Sequence, residues 1–154
     1  MELCTLASGS SGNAVLVFDN DTALLFDAGI SAKRICDGLK QLGLSAGQLD
    51  GICITHSHSD HISGLRVLLK RTDAKIYATG QTASALERQV EGAAERIEII
   101  HPQEEFQLGD LSVQAFNTPH DAPGSVGYTV SNRERKCSIV TYLGFVTEDV
   151  RESI

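Results

Sequence analysis

The sequence contains no Cys-x-x-Cys pair, no apolar run approaching the length of a membrane span, no internal repeat, no low-complexity tract and no linker between separable units. Each absence narrows the reading. The four cysteines, Cys4, Cys36, Cys53 and Cys137, are widely spaced, and Cys4 and Cys53 fall in apolar strand-like runs where a thiol behaves as a small hydrophobe. They read as free thiols in a reducing compartment. The opening MELCTLASG lacks a basic stretch followed by an apolar segment, so neither a secretory leader nor a membrane anchor is expected, and the protein is read as cytoplasmic.

Positive charge is also scarce, with 13 Lys and Arg against 20 Asp and Glu and a net charge of -7. An acidic chain is a poor generic binder of polyanions, although bound divalent ions would cancel some of that charge where a substrate docks. The basic clusters are Arg66, Lys70 and Arg71, and Arg133, Arg135 and Lys136. Both read as solvated surface first and as local phosphate contacts second.

The 154 residues fit one domain, residues 1–154, large enough to bury a core. With 42% hydrophobic and 21% charged residues, the composition excludes a largely disordered chain. ELCTL, AVLVFD and TALLFDAG read as an opening meander of strands, with SGSSGN and Asn20-Asp21 as turns. Ile35, Leu39 and Leu42 then recur at helical spacing, with Ser31 able to cap the start and Gly43 the end. GICIT reads as a buried strand. Ile62, Leu65, Leu68 and Leu69 suggest a second helix, KIYAT a strand, and residues 82–90 a further helix. IEII, LSVQAFNT, VGYTV and CSIVT complete a mixed α/β pattern.

The stretch THSHSDH, residues 55–61, holds three of the five histidines and lies between a buried strand and a helix. In an α/β protein such a loop sits at the carboxyl end of the strand, where functional groups are displayed. His56 and His58 are two apart, so an extended backbone points both imidazoles to one side. Asp60 and His61 follow where the chain turns into the helix and can address a second, adjacent position. The spacing suits two neighbouring ions. Imidazole and carboxylate are ligands that zinc, manganese or iron accept, and a third histidine would normally complete the first position. His120, in NTPHDAPGSVGY, is the candidate, since it too follows a strand and precedes a Pro- and Gly-rich turn. His101 reads as a surface turn residue. Asp27, after the apolar ALLF, either caps the turn at Ala28-Gly29 or orients a ligand histidine, and the second reading is favoured.

THSHSDHISG resembles the His-x-His-x-Asp-His signature of the metallo-β-lactamase fold superfamily, and LFDAG resembles the aspartate motif that precedes it there. LASGSSGNA, TPHDAPGSVGY and LGFVTEDV further resemble the YycJ/WalJ-like branch, whose members are regarded as metal-dependent phosphodiesterases or DNA exonucleases. The resemblance implies a four-layer αββα sandwich, truncated here after the first half to two-thirds. It also implies one or two divalent ions at one edge, with His56, His58 and His120 at the first and Asp60 and His61 at the second. The family's bridging aspartate falls at Tyr142, and a phenol is a poor substitute near neutral pH.

The implied chemistry is hydrolysis by a metal-activated water, oriented by Asp60 or Asp121. Ser8, Ser10, Ser11 and Asn13 of SGSSGN either bind a substrate phosphate or simply join two strands. The family selects nucleic acid as substrate. Two other readings stand beside it: a metal-binding but catalytically impaired fragment or interaction module, and a hydrolase of a small lactam or thioester. Relatives continue beyond residue 154, so an uncovered apolar face is expected, with a homo-oligomer as one way to cover it.

Overall fold

The computed structural model describes residues 1–141, 146 and 148–153, and the position of the expected bridging ligand, Tyr142, lies outside them. The opening meander forms as expected, with strands β1 (Glu2–Ala7), β2 (Ala14–Asp19) and β3 (Thr22–Phe26) pairing antiparallel in order. Asn20 turns the tight β2–β3 connection with φ +49°, a conformation its short polar side chain tolerates. Helix α1 (Ala32–Gln41) crosses over to β4 (Gly51–Cys53), capped by the Ser31 hydroxyl, which accepts from the Arg34 N–H. β5 (Lys75–Ala78) and β6 (Ile97–Ile99) extend the sheet in parallel, with helix α4 (Gly80–Gln89) between them. The first sheet therefore runs β1 to β6 in chain order. The second is antiparallel and holds β7 (Glu105–Leu108), β8 (Leu111–Asn117), β9 (Val126–Ser131) and β10 (Lys136–Ile139), in the order β10-β9-β8-β7. A short helix α5 (Glu148–Ser153) lies beside β8.

Strand periodicity divides the core in two. Leu16, Leu25 and Ile52 point from the first sheet to the helices, where they meet Ile35 and Leu39 of α1 and Leu86 of α4. Their neighbours Val17, Leu24, Phe26 and Cys53 point the other way and meet Leu111, Val113, Ala115, Tyr128 and Val130 of the second sheet. Side chains alternate faces along a strand, so every residue of β3 is buried, with Ala23 and Leu25 in one core and Leu24 and Phe26 in the other.

The single helix expected from Ile62 onward is instead two turns, α2 (Ser59–Ile62) and α3 (Leu65–Leu68). The break is Gly64, whose N–H donates to the Ala28 carbonyl at 2.8 Å. A Cβ there would lie 1.9 Å from the Ile30 carbonyl oxygen. α4 also begins two residues earlier than its apolar spacing suggests, and β7 was not foreseen because four residues carry too little pattern.

The two sheets are stitched together beneath one edge. The Val126 N–H donates to the Thr55 carbonyl at 3.0 Å. The buried Tyr128 hydroxyl donates to the carbonyls of Ile54 at 2.9 Å and Tyr77 at 3.2 Å. These bonds hold the start of β9 against the chain leaving β4, and so bring the two histidine-bearing loops to one place.

Candidate metal centre

After Cys53 the chain leaves the sheet in extended form, and His58, at φ -67° and ψ 150°, becomes the residue before α2. Asp60 and His61 thus lie inside the first turn of α2, which starts three residues earlier than the helix expected from Ile62. His120 arrives from the second sheet on a loop closed at its neck by Thr118 Oγ1 and Ser125 Oγ, 2.9 Å apart. The same loop is docked on α4 through the Gly124 carbonyl, which accepts from Thr79 Oγ1 at 2.8 Å. Gly124 has φ +75°, and a Cβ would strike Thr79 Oγ1 at 2.7 Å, so the docked turn requires glycine.

One nitrogen from each of His56, His58 and His120 lies within 4.8 Å of the other two. His56 Nε2 and His120 Nε2 are 3.2 Å apart. Two nitrogens bound at the usual distance to one tetrahedral zinc are separated by about 3.3 Å, so the donor set fits a divalent ion and the His56–His120 pair already has the spacing one requires. His56 is fully buried, and burial first, then the neighbouring His61, His120 and His58 rings, lower its pKa to about 3. It is therefore neutral at physiological pH, the form that can donate to a metal. Beside this trio, His61 Nε2 lies 3.4 Å from Asp60 Oδ2.

The ring nitrogens of His56, His61 and His120 that face away from the centre have partners of their own. Asp27 is buried, holds a left-handed φ of +60°, and brings Oδ2 within 2.6 Å of His61 Nδ1. Its Oδ1 accepts the Thr55 N–H, and Oδ2 the Thr55 hydroxyl, both at 2.8 Å. Thr55 Oγ1 in turn lies 3.0 Å from His56 Nδ1. Asp121 Oδ1 is 2.9 Å from His120 Nδ1, on a side chain 82% exposed. Thr55 is not among the residues that the sequence alone marks as functional. Its signal was its place directly before His56, at the end of an apolar run.

The SGSSGN loop splits into two parts. Ser8, Ser10 and Ser11 are exposed, whereas Asn13 is buried. The Asn13 amide accepts from the Gly9 N–H at 3.1 Å and donates to the Gly9 carbonyl at 2.9 Å. It also reaches Asp60 O at 3.3 Å and His61 Nε2 at 3.3 Å. Asn13 thus pins the loop against α2, leaving the serines at the surface. Gly29 completes the junction, donating to Asn13 O at 2.8 Å. His101 is exposed in a turn away from this cluster, as expected.

Among the described residues the four cysteines are free thiols, and no helix is long and apolar enough to cross a membrane. The sequence is similar to exodeoxyribonuclease YycJ of Bacillus anthracis, 34% identical over 98% of this chain and 58% of that protein. It is also similar to exodeoxyribonuclease WalJ of Streptococcus pneumoniae, 33% identical over 93% of this chain and 54% of that protein. The chain thus spans somewhat more than half the length of these relatives. Among solved structures, the Rm3 metallo-beta-lactamase superposes with a TM-score of 0.74 at 22% identity, covering 98% of this chain and 69% of that one. MEM-A1, a subclass B3 metallo-beta-lactamase from a soil metagenome library, gives 0.71 at 24% identity, covering 88% and 58%. The sequence model of the metallo-beta-lactamase superfamily matches residues 7–140, through both strand layers and every histidine of the cluster, and the chain belongs to that superfamily.

Proposed function

We propose that this chain is a metal-dependent hydrolase of nuclease type that cleaves phosphodiester bonds in DNA. The observation that carries the reading is the convergence of His56, His58 and His120 from two separate loops, with Asp60 and His61 beside them. A divalent ion at the trio, zinc or with similar ligands manganese or iron, would supply a water ionised near pH 7 and positive charge facing the phosphate.

The protein's own groups do the rest. Neutral His56 needs no proton removed before it donates. Asp60 would hold the attacking water in line, with His61 at the second position. Asp121, whose carboxylate meets His120 Nδ1, would act on the water only indirectly, by fixing that ring. The exposed hydroxyls of Ser8, Ser10 and Ser11 would contact a backbone phosphate beside the centre. DNA as the substrate rests on the names of the YycJ and WalJ relatives. Free thiols and a nucleic-acid substrate both favour the cytoplasm.

A second reading, a metal-binding but catalytically impaired chain or interaction module, is favoured by Tyr142 in place of the family's bridging aspartate. The test is metal content by plasma mass spectrometry, on protein purified without chelator, together with cleavage of end-labelled DNA. A chromogenic lactam is assayed in parallel. We expect about one ion per chain, rising toward two in Tyr142→Asp, with DNA cleavage that chelator abolishes and lactam hydrolysis absent. His58→Ala should lose the ion and lower cleavage at least about 100-fold. Metal without cleavage in both proteins would support the impaired reading, and no metal in either would overturn the centre itself.

A further inference from the structure

We propose that Thr55 is a positioning residue through which one buried carboxylate, Asp27, sets the ring tautomer of a histidine in each half of the centre, His56 as well as His61. The inference rests on the metal-binding reading above and deepens it.

The argument is a count of protons. A carboxylate only accepts hydrogen bonds, and Asp27 has three groups aimed at it: the Thr55 N–H at 2.8 Å, the Thr55 hydroxyl at 2.8 Å and His61 Nδ1 at 2.6 Å. His61 must therefore carry its proton on Nδ1. The Thr55 hydroxyl has a single proton. If that proton pointed at His56, two oxygens would face each other at 2.8 Å with nothing between them. The proton goes to Asp27, and toward His56 Nδ1, 3.0 Å away, Thr55 Oγ1 can only accept. His56 then also carries its proton on Nδ1 and keeps the Nε2 lone pair that faces His120 Nε2.

Asn13 supports the His61 half independently. Its amide orientation is fixed by Gly9, whose N–H needs the oxygen and whose carbonyl needs the nitrogen. The Asn13 NH2 is thus the group 3.3 Å from His61 Nε2, and its second proton, shared between that nitrogen and Asp60 O, is consistent with an unprotonated Nε2. Both histidines present Nε2 to the centre, His56 through one intervening hydroxyl and His61 by direct contact with Asp27 at 2.6 Å, which outweighs the longer 3.3 Å approach of Thr55 Oγ1 to the same Nδ1. Thr55 and Asp27 are both buried, so water does not compete for these bonds.

The experiment records two-bond proton–nitrogen correlations of the histidine rings in the metal-free full chain, and zinc affinity by competition with a chromophoric chelator. In the wild type, His56 and His61 should both show the Nδ1-protonated pattern. In Thr55→Val, which keeps the shape and removes the hydroxyl, His56 should lose that pattern while His61 keeps it, and zinc affinity should fall about 10- to 100-fold. Thr55→Ser should restore both, and Asp27→Asn should disturb both rings. A merely structural role for Thr55 would move His61 as much as His56. Wild-type His56 protonated on Nε2 would overturn the proposal without any variant, and so would a Thr55→Val affinity within about twofold of wild type. If Thr55→Val does not fold, the wild-type spectrum and Thr55→Ser decide. Should the wild-type chain bind no zinc, the proposed function fails, while the ring spectra of the metal-free chain still test this inference.

Discussion

His56 makes the stability of the metal-free chain depend on pH. Its folded pKa, about 3, is well below the ordinary value of 6.5, first because the ring is buried and then because other histidines surround it. Between those values the unfolded chain binds a proton that the folded chain refuses. The contribution is therefore fully present above pH 6.5 and is lost as pH falls toward 3. Above the carboxylate range, from pH 6.5 down to about 5, this histidine stands apart from the acids that titrate lower. The melting temperature of chelator-treated protein should decline across that window, and His56→Gln should flatten the decline. A melting temperature constant from pH 7 to about 5 would contradict the assignment of burial as the dominant cause. His56, His58, Asp60 and His61 are legible in the sequence because they are local, four potential metal ligands in six residues after an apolar run. The role of Thr55 is not, because a threonine in that place gains meaning only when Asp27, just past the end of β3, is brought beside it.

The breaks between helical turns hold the site as firmly as the strands do. A Cβ at Gly29 would lie 1.7 Å from the Asp60 carbonyl oxygen, the same atom that accepts from the Asn13 N–H at 2.8 Å. Backbone meets backbone there, so no side chain can move aside. Gly29→Ala should push α2 away from the β3 turn and displace Asp60 and His61. We expect a cost of at least about 3 kcal/mol in urea unfolding, with loss of bound metal. Gly80, the first residue of α4, has nothing within 4 Å of a Cβ. Gly80→Ala should be neutral or stabilising by up to about 1 kcal/mol. Equal effects of the two substitutions would show that the junction is not rigid. The same contacts explain the misread helix. Ile62, Leu65, Leu68 and Leu69 keep helical spacing, and a glycine inside such a pattern is ordinarily tolerated. What breaks the helix is the backbone of residues 28–30 pressing on Gly64, a contact 34 or more positions distant that periodicity cannot register. The strands of the first sheet carry no such conflict, and they are legible as short runs rich in β-branched and aliphatic residues bounded by turn residues.

For the molecule as a whole, the sequence leads to the expectation of an uncovered apolar face, and the outer face of the second sheet is one place to look for it. Inward positions on that sheet are apolar: Phe106, Leu108, Leu111, Val113, Tyr128 and Val130. Alternation then turns Gln107, Ser112, Gln114, Thr129 and Ser138 outward, and Thr129 Oγ1 and Ser138 Oγ lie 3.0 Å apart on that side. Phe116, an apolar residue on the same face, is buried against Gly127, where a Cβ would meet its ring at 2.4 Å. Among the described residues, then, the outward positions of these strands are polar apart from the buried Phe116, and α5, with its Val150 buried, lies beside β8. What could still join two copies is a strand edge, β1 or β6 in the first sheet and β10 or β7 in the second, and Leu3 of β1 is 48% exposed and Ile99 of β6 56%. A net charge of -7 opposes that contact most strongly at low salt. Sedimentation velocity at micromolar concentration should accordingly give mainly monomer in dilute buffer. Any dimer should grow with added salt, as screening removes the repulsion, and should be abolished by Leu3→Glu on the β1 edge. A dimer that is strongest in dilute buffer, or that survives Leu3→Glu, would place the contact elsewhere and return the second sheet's outer face to consideration.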